Sequence, residues 1–198
     1  MKLGKMMYRG TIVVNIDGVL ANFEQKFCQD FGSDNRDLYS LEARYPNIDP
    51  EIIKEYVLNP QNYEDLSPIF GGILFTVQAK MAGWYVLLAT SRDKSLREVT
   101  LKWLSHYNVH YNEIIFAKYK PSAIRDWERW NQDKPVRVVV DDSVSVLQQL
   151  PDKYCVAWDS LWNADYYPRM WYSNLRMKVM LEISDGESVG AWDKVGKK

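Results

Sequence analysis

Residues 13–23 read VVNIDGVLANF, and this stretch decides the fold. The run Thr11-Ile12-Val13-Val14 is almost wholly apolar and β-branched, as expected of a strand buried on both faces of a parallel sheet. It ends abruptly on Asn15-Ile16-Asp17-Gly18. Gly18 lets the backbone turn sharply, so that the loop's main chain can approach a bound anion. Phe23, Phe27 and Phe31 follow at four-residue spacing and predict a helix over 21–31.

The same ending recurs further along. WYVLLA at 84–89 is a second buried strand and ends in Thr90-Ser91-Arg92. VRVVV at 136–140 is another and ends in Asp141-Asp142-Ser143. Two further strands are expected at 114–117 and at 154–158. Helical patterns separate them at 71–82, stopped by Gly83, then around Leu96–Leu104, at 122–131 and at 144–150, with one more over 170–183. Alternating strands and helices predict an α/β fold, a Rossmann-like three-layer α/β/α parallel sheet. Ligands of open parallel sheets bind outside the carboxyl ends of the strands. If these strands are neighbours, Asn15, Asp17, Thr90, Ser91, Asp141 and Asp142 meet in one crevice, with a lysine, Lys118 or Lys120, from the loop after another strand.

Composition sets the bounds. The chain has 198 residues, of which 46% are hydrophobic and 26% charged, which suits one packed domain with a small insertion. The net charge of −1 offers no general attraction to nucleic acid or to a membrane surface, so a phosphate site must be a local cluster. Cys28 and Cys155 both sit beside apolar residues and are expected as buried free thiols. No apolar run reaches membrane-spanning length, and the first ten residues lack a signal-peptide core, so the expected location is cytoplasmic. Aromatic residues make up 14%. Most should fill the core, while some can stack on a flat ligand; an aromatic-rich surface also allows a homodimer.

These motifs, in this order, resemble the haloacid dehalogenase-like (HAD) phosphohydrolase superfamily over roughly residues 11–158. The first motif of that family reads Asp-x-Asp-Gly-(Val/Thr)-Leu, against Asn15-Ile16-Asp17-Gly18-Val19-Leu20 here. The second is a Thr or Ser after a strand (Thr90, with Ser91 beside it), the third a Lys (Lys118 or Lys120) and the fourth an acidic pair (Asp141 and Asp142). DGVLANF is similar to the 5′(3′)-deoxyribonucleotidases, and the stretch from Thr90 to Asp142 resembles the phosphatase domain of phage polynucleotide kinase. The resemblance implies a Mg²⁺-dependent phosphomonoester hydrolase working through an aspartyl phosphate. In that scheme position 15 supplies the nucleophile and Asp17 the general acid and base. Mg²⁺ is held by residue 15, Asp17, Asp141 and Asp142, with Asp141 expected as the direct ligand and Asp142 in a water-mediated role. Thr90 and a lysine, with Lys120 preferred, grip the phosphoryl oxygens. Gly18, Ser91, Arg92 and Lys118 complete the substrate contacts.

Asn15 departs from the family pattern. Its amide oxygen can ligate Mg²⁺ but cannot readily attack phosphorus. The other motifs are intact, which favours an engineered Asp-to-Asn variant; a natural protein that binds a nucleotide without cleaving it is the competing reading. The resemblance also places a small helical cap after the first strand, here residues 22–75, between core segments 1–21 and 76–183, with 184–198 as a flexible tail. The cap carries Phe23, Phe27, Tyr39, Tyr45, Tyr56, Tyr63 and Phe70, and Phe23 is the expected stacking partner of a base. A cap of this size suits nucleoside monophosphates, while a polynucleotide 3′-end, which needs a more basic entrance, is the alternative substrate. His106 and His110 are four apart, but Asn108 interrupts the helix, and they are not expected to bind metal.

Overall fold

The computed structural model describes residues 8–32, 38–166 and 169–170. Among these residues six strands form one sheet: β1 (Thr11–Val14), β2 (Tyr85–Thr90), β3 (Glu113–Phe116), β4 (Val136–Asp141), β5 (Tyr154–Trp158) and β6 (Arg169–Met170). Their order is β3-β2-β1-β4-β5-β6, and every neighbouring pair is parallel. The chain builds outward from β1 on one side, then crosses back to build β4 to β6 on the other. The topological switch therefore falls beside β1, where the crevice of a doubly wound sheet opens.

Among the described residues seven α-helices accompany the strands: α1 (Phe23–Phe31), α2 (Leu41–Arg44), α3 (Pro50–Leu58), α4 (Phe70–Met81), α5 (Arg97–His106), α6 (Lys120–Trp130) and α7 (Val144–Gln148). The period of two along each strand sorts them into layers. Ile12, Val14, Val86, Leu88, Val138 and Val140 face one way, onto Phe75 and Ala79 of α4 and Trp103 and Leu104 of α5. Val13, Leu87, Ala89 and Val139 face the other way, onto Ile124 and Trp127 of α6 and Leu147 of α7. The three-layer sandwich expected from the alternation is thus the fold.

The insertion after β1 has its own small core, Phe27, Tyr45 and Ile53, drawn from α1, the end of α2 and α3. Local chemistry starts these helices. Asn22 accepts from the Gln25 N–H at the head of α1, and Asp49 accepts from Glu51 N–H ahead of Pro50 at the head of α3. The predicted start of α1 at residue 21 is two residues early, because residues 16–21 are tied into a tight loop instead. The line drawn between residues 75 and 76 falls inside α4, a single helix whose Phe75 and Ala79 sit in the main core. Both cysteines are free, but Cys28 is only half-buried while Cys155 is buried. Burial pushes the Cys155 thiol up to about 12, so it is inert. The helix expected over 170–183 and the tail from 184 lie outside the described residues, apart from Met170, which ends β6. No helix among the described residues is long and apolar enough to cross a membrane.

One close approach ties α4 to the loop after β1. A Cβ built on Gly72 would lie 1.9 Å from the Val19 carbonyl oxygen, a backbone atom that cannot swing aside. Alanine is the better helix former by about 1 kcal/mol, yet the clash must win. Gly72→Ala is expected to lower stability by roughly 2–3 kcal/mol in urea unfolding. A neutral or stabilising result would show that α4 does not hold the loop.

Candidate active site

The site begins where β1 runs out. Asn15 N–H still donates to the Val140 carbonyl at 2.9 Å, extending the ladder by one bond. The chain then wraps around the Ile16 carbonyl, which accepts from the N–H groups of Val19, Leu20 and Ala21. Gly18 takes φ +78, a left-handed conformation that favours glycine. It is also needed for space: a Cβ there would lie 2.4 Å from Asp142 Oδ2. The first loop and the end of β4 are thus in direct contact.

Asn15 sits at that contact and is 4% exposed. Its amide nitrogen donates to the Asp17 carbonyl at 2.6 Å and to Asp142 Oδ1 at 2.8 Å. Asp141 points elsewhere: Lys120 Nζ lies 2.7 Å from its Oδ2, and Ser143 N–H donates to its Oδ1. Asp142 therefore lies against position 15 and Asp141 against the lysine. The reason is strand parity. Asp141 shares the side of Val139, which packs on α6, and Lys120 opens α6. Burial, then the neighbouring Asp141, push the Asp142 carboxyl up to about 7. Its main-chain carbonyl accepts from Trp162 Nε1 and from Asn163 Nδ2.

On the other side, β2 ends in Thr90, fully buried, whose Oγ1 accepts from Arg92 N–H at 3.2 Å. Arg92 was expected on the substrate. It lines the cavity, is 5% exposed and grips Asp17 with two bonds, Nε to Oδ2 at 2.9 Å and Nη2 to Oδ1 at 2.6 Å. Its Nη1 donates to Thr100 Oγ1, and its guanidinium carbon lies 4.6 Å from the Tyr63 ring centre.

These groups open onto a cavity of about 1120 Å³. Asn15, Asp17, Gly18, Phe23, Ser91, Arg92, Lys118 and Asp142 line it, whereas Thr90, Lys120 and Asp141 stand behind that surface. The two lysines thus divide. Lys120 is buried on Asp141, while Lys118 is exposed at the mouth. Of the insertion's aromatics, Phe23, Tyr39 and Tyr63 reach the cavity, with Phe23 stacked on Tyr63 at 5.1 Å. Phe27 and Tyr45 are core, and Phe70 is on the surface. Arg44 and Trp162 also line the cavity and were not singled out from sequence. Trp162 sits in a short 3-10 turn after β5, where no periodic pattern marks it. Arg44 ends a four-residue helix and looks like any charged surface residue.

Among the described residues no three His, Cys, Asp or Glu side chains form a metal cluster. A cation here therefore has to draw on other oxygens, namely the Asn15 amide and the Asp17 main-chain carbonyl beside Asp142. These are the hard donors that Mg²⁺ takes. The amide nitrogen of Asn15 already bridges the other two, and turning the amide over would present its oxygen alongside them. The donor set fits the ion. His106 ends α5 and Asn108 has φ 51, so the two histidines are on no common helix face.

No protein-family model matches the chain, and no curated protein matches it in sequence. Solved structures do match in shape. A haloacid dehalogenase-like family hydrolase from Streptococcus pneumoniae superposes with a TM-score of 0.63 at 11% identity, covering 87% of this chain and 98% of that one. A predicted phosphatase from Clostridium acetobutylicum gives 0.61 at 14% identity, covering 89% and 100%. A chain of the Pnkp1/Rnl/Hen1 complex gives 0.50 at 15% identity over 79% of this chain, which spans only 48% of that longer one. The fold is that of the haloacid dehalogenase-like hydrolases.

Asp17 and Arg92 form a two-bond ion pair, with the guanidinium 1% exposed and the carboxylate 28%. Removing the carboxylate leaves a buried charge unpaired. Asp17→Asn is expected to cost about 2–3 kcal/mol, and adding Arg92→Met should recover at least half of that loss. Urea titrations of the single and double variants measure it; strictly additive losses would show that the pair is not coupled.

Proposed function

We propose that this chain is a Mg²⁺-dependent phosphomonoester site for nucleoside monophosphates, and that it lacks turnover because Asn15 stands in for the nucleophile. The observation that carries the reading is the triple contact of the Asn15 amide, the Asp17 carbonyl and Asp142, at the switch point of the HAD-like sheet. Three carboxylates, Asp17, Asp141 and Asp142, meet two cations, Arg92 and Lys120. With Asp142 pushed up to about 7 and so only partly ionised at neutral pH, the cluster carries up to one negative charge in excess before a phosphate dianion arrives. Mg²⁺, held by residue 15, the Asp17 carbonyl and Asp142, would offset that charge and polarise the phosphoryl oxygens.

The chain's own groups then have separate tasks. Lys120 steadies Asp141 behind the site, and Thr90 fixes the turn that carries Ser91 and Arg92. Ser91 and Lys118 face the cavity and hold phosphoryl oxygens. Phe23, backed by Tyr63, offers a face to the base. With Asp at 15, a carboxylate oxygen bonds to phosphorus as the ester bond breaks, and Asp17 protonates the departing alcohol. Asp17 then takes a proton from the water whose oxygen displaces the aspartate. Arg92 has to release one Asp17 oxygen for that proton to be carried. The intact surroundings of position 15 favour a substituted nucleophile over a protein long without catalysis. A polynucleotide 3′-end is the second reading, favoured by the cavity's size and by the exposed Lys94 and Lys118 on its wall.

Asn15→Asp with Mg²⁺ is expected to raise phosphate release from nucleoside monophosphates by at least about 10³-fold. A 3′-phosphorylated oligonucleotide in the same assay separates the second reading. Without Mg²⁺ the Asp variant should be the less stable chain by about 2 kcal/mol, because a carboxylate then faces Asp142 and a carbonyl. Excess Mg²⁺ should reverse that order in thermal melts. A folded Asp variant that neither responds to Mg²⁺ nor releases phosphate removes the reading.

A further inference from the structure

Arg44 is a strong cation on the cavity wall that the phosphoryl chemistry does not use. It is 2% exposed, and its Nη2 donates to Glu24 Oε1 at 2.6 Å. Its Nε is buried and meets no hydrogen-bond partner. A guanidinium carries five N–H donors in one plane, and leaving them unmet inside a protein is costly. The Trp162 ring centre lies 5.5 Å from the Arg44 guanidinium carbon, and the Trp162 N–H donates to the Asp142 carbonyl at 3.1 Å. One indole therefore lies between Arg44 and the acidic pair, with a ring face toward the guanidinium and its N–H on the Asp142 carbonyl. The cavity, at about 1120 Å³, is also larger than one phosphate and one nucleoside need.

We propose that Arg44 is a second anion subsite, so that the preferred ligand is a nucleoside bisphosphate, with one phosphate at the Asn15 loop and the other on Arg44. This rests on the phosphoryl site proposed above. The planar fork suits a phosphate, which it can hold through two N–H groups at once. Glu24 neutralises Arg44 while no ligand is there, and it competes with an incoming anion. Arg44 and Glu24 thus act in opposite directions on the same ligand, which a merely structural ion pair would not do.

Because Asn15 prevents turnover, binding can be read directly by calorimetry with the chain as it stands. In Mg²⁺, thymidine 3′,5′-bisphosphate is expected to bind at least tenfold tighter than the 3′- or the 5′-monophosphate. Arg44→Gln should abolish that advantage and leave the monophosphate Kd unchanged. Glu24→Gln should enlarge it, and this second variant decides the matter if Arg44→Gln does not fold. Equal affinity for bisphosphate and monophosphates overturns the subsite and leaves the phosphoryl reading standing. Binding of none of the three removes both. An advantage that persists in folded Arg44→Gln, or that Glu24→Gln fails to increase, overturns the assignment to Arg44.

Discussion

The structure depends on one close approach, between the loop after β1 and the end of β4. Asp142 Oδ2 occupies the place a side chain at residue 18 would take, and Asn15 spans from that carboxylate to the Asp17 carbonyl. Such proximity is costly unless each oxygen is met, because a buried acceptor without a donor loses its water and gains nothing. The site meets that demand with the Asn15 amide, with Trp162 and Asn163 on the Asp142 carbonyl, and with Lys120 on the adjoining Asp141. The sheet brings these groups together because β1 and β4 are neighbours although more than a hundred residues apart in sequence.

What the chain reveals before folding follows from how far each signal reaches. Buried parallel strands are continuous apolar runs, so 11–14, 85–90 and 136–141 stand out, and the polar residues that end them mark one rim of the sheet. The end of α4 was legible because Gly83 is a local device, a glycine with φ 84 just past the helix. The fate of Arg92 was not. Its burial is made by Asp17, Thr100 and Tyr63, three segments that share no pattern in sequence. Which member of the acidic pair faces position 15 could have been read from parity along β4, had the face taken by α6 been known.

Helix α4 extends the same constraint outward. Gly72 lets its backbone lie against the Val19 carbonyl, so the helix that covers the sheet also backs the loop carrying Asn15 and Asp17. The insertion is anchored differently. Tyr63, at its far end, supports the Arg92 guanidinium, and Trp103 of α5 donates to the Leu66 carbonyl. The insertion thus packs directly against the ion pair that holds Asp17.

Residue 15 decides how the cluster balances its charge. With asparagine, an N–H group sits between two oxygens and does part of a cation's work, so the loop can close without metal. With aspartate, the same position would hold a second carboxylate against Asp142, already pushed up to about 7 by burial and by Asp141. Repulsion between like charges in a water-poor site is relieved only by a proton or a cation. The Asn15 amide N–H supplies such relief by donating to both oxygens. Asparagine at this position thus meets both oxygens without adding a charge beside Asp142.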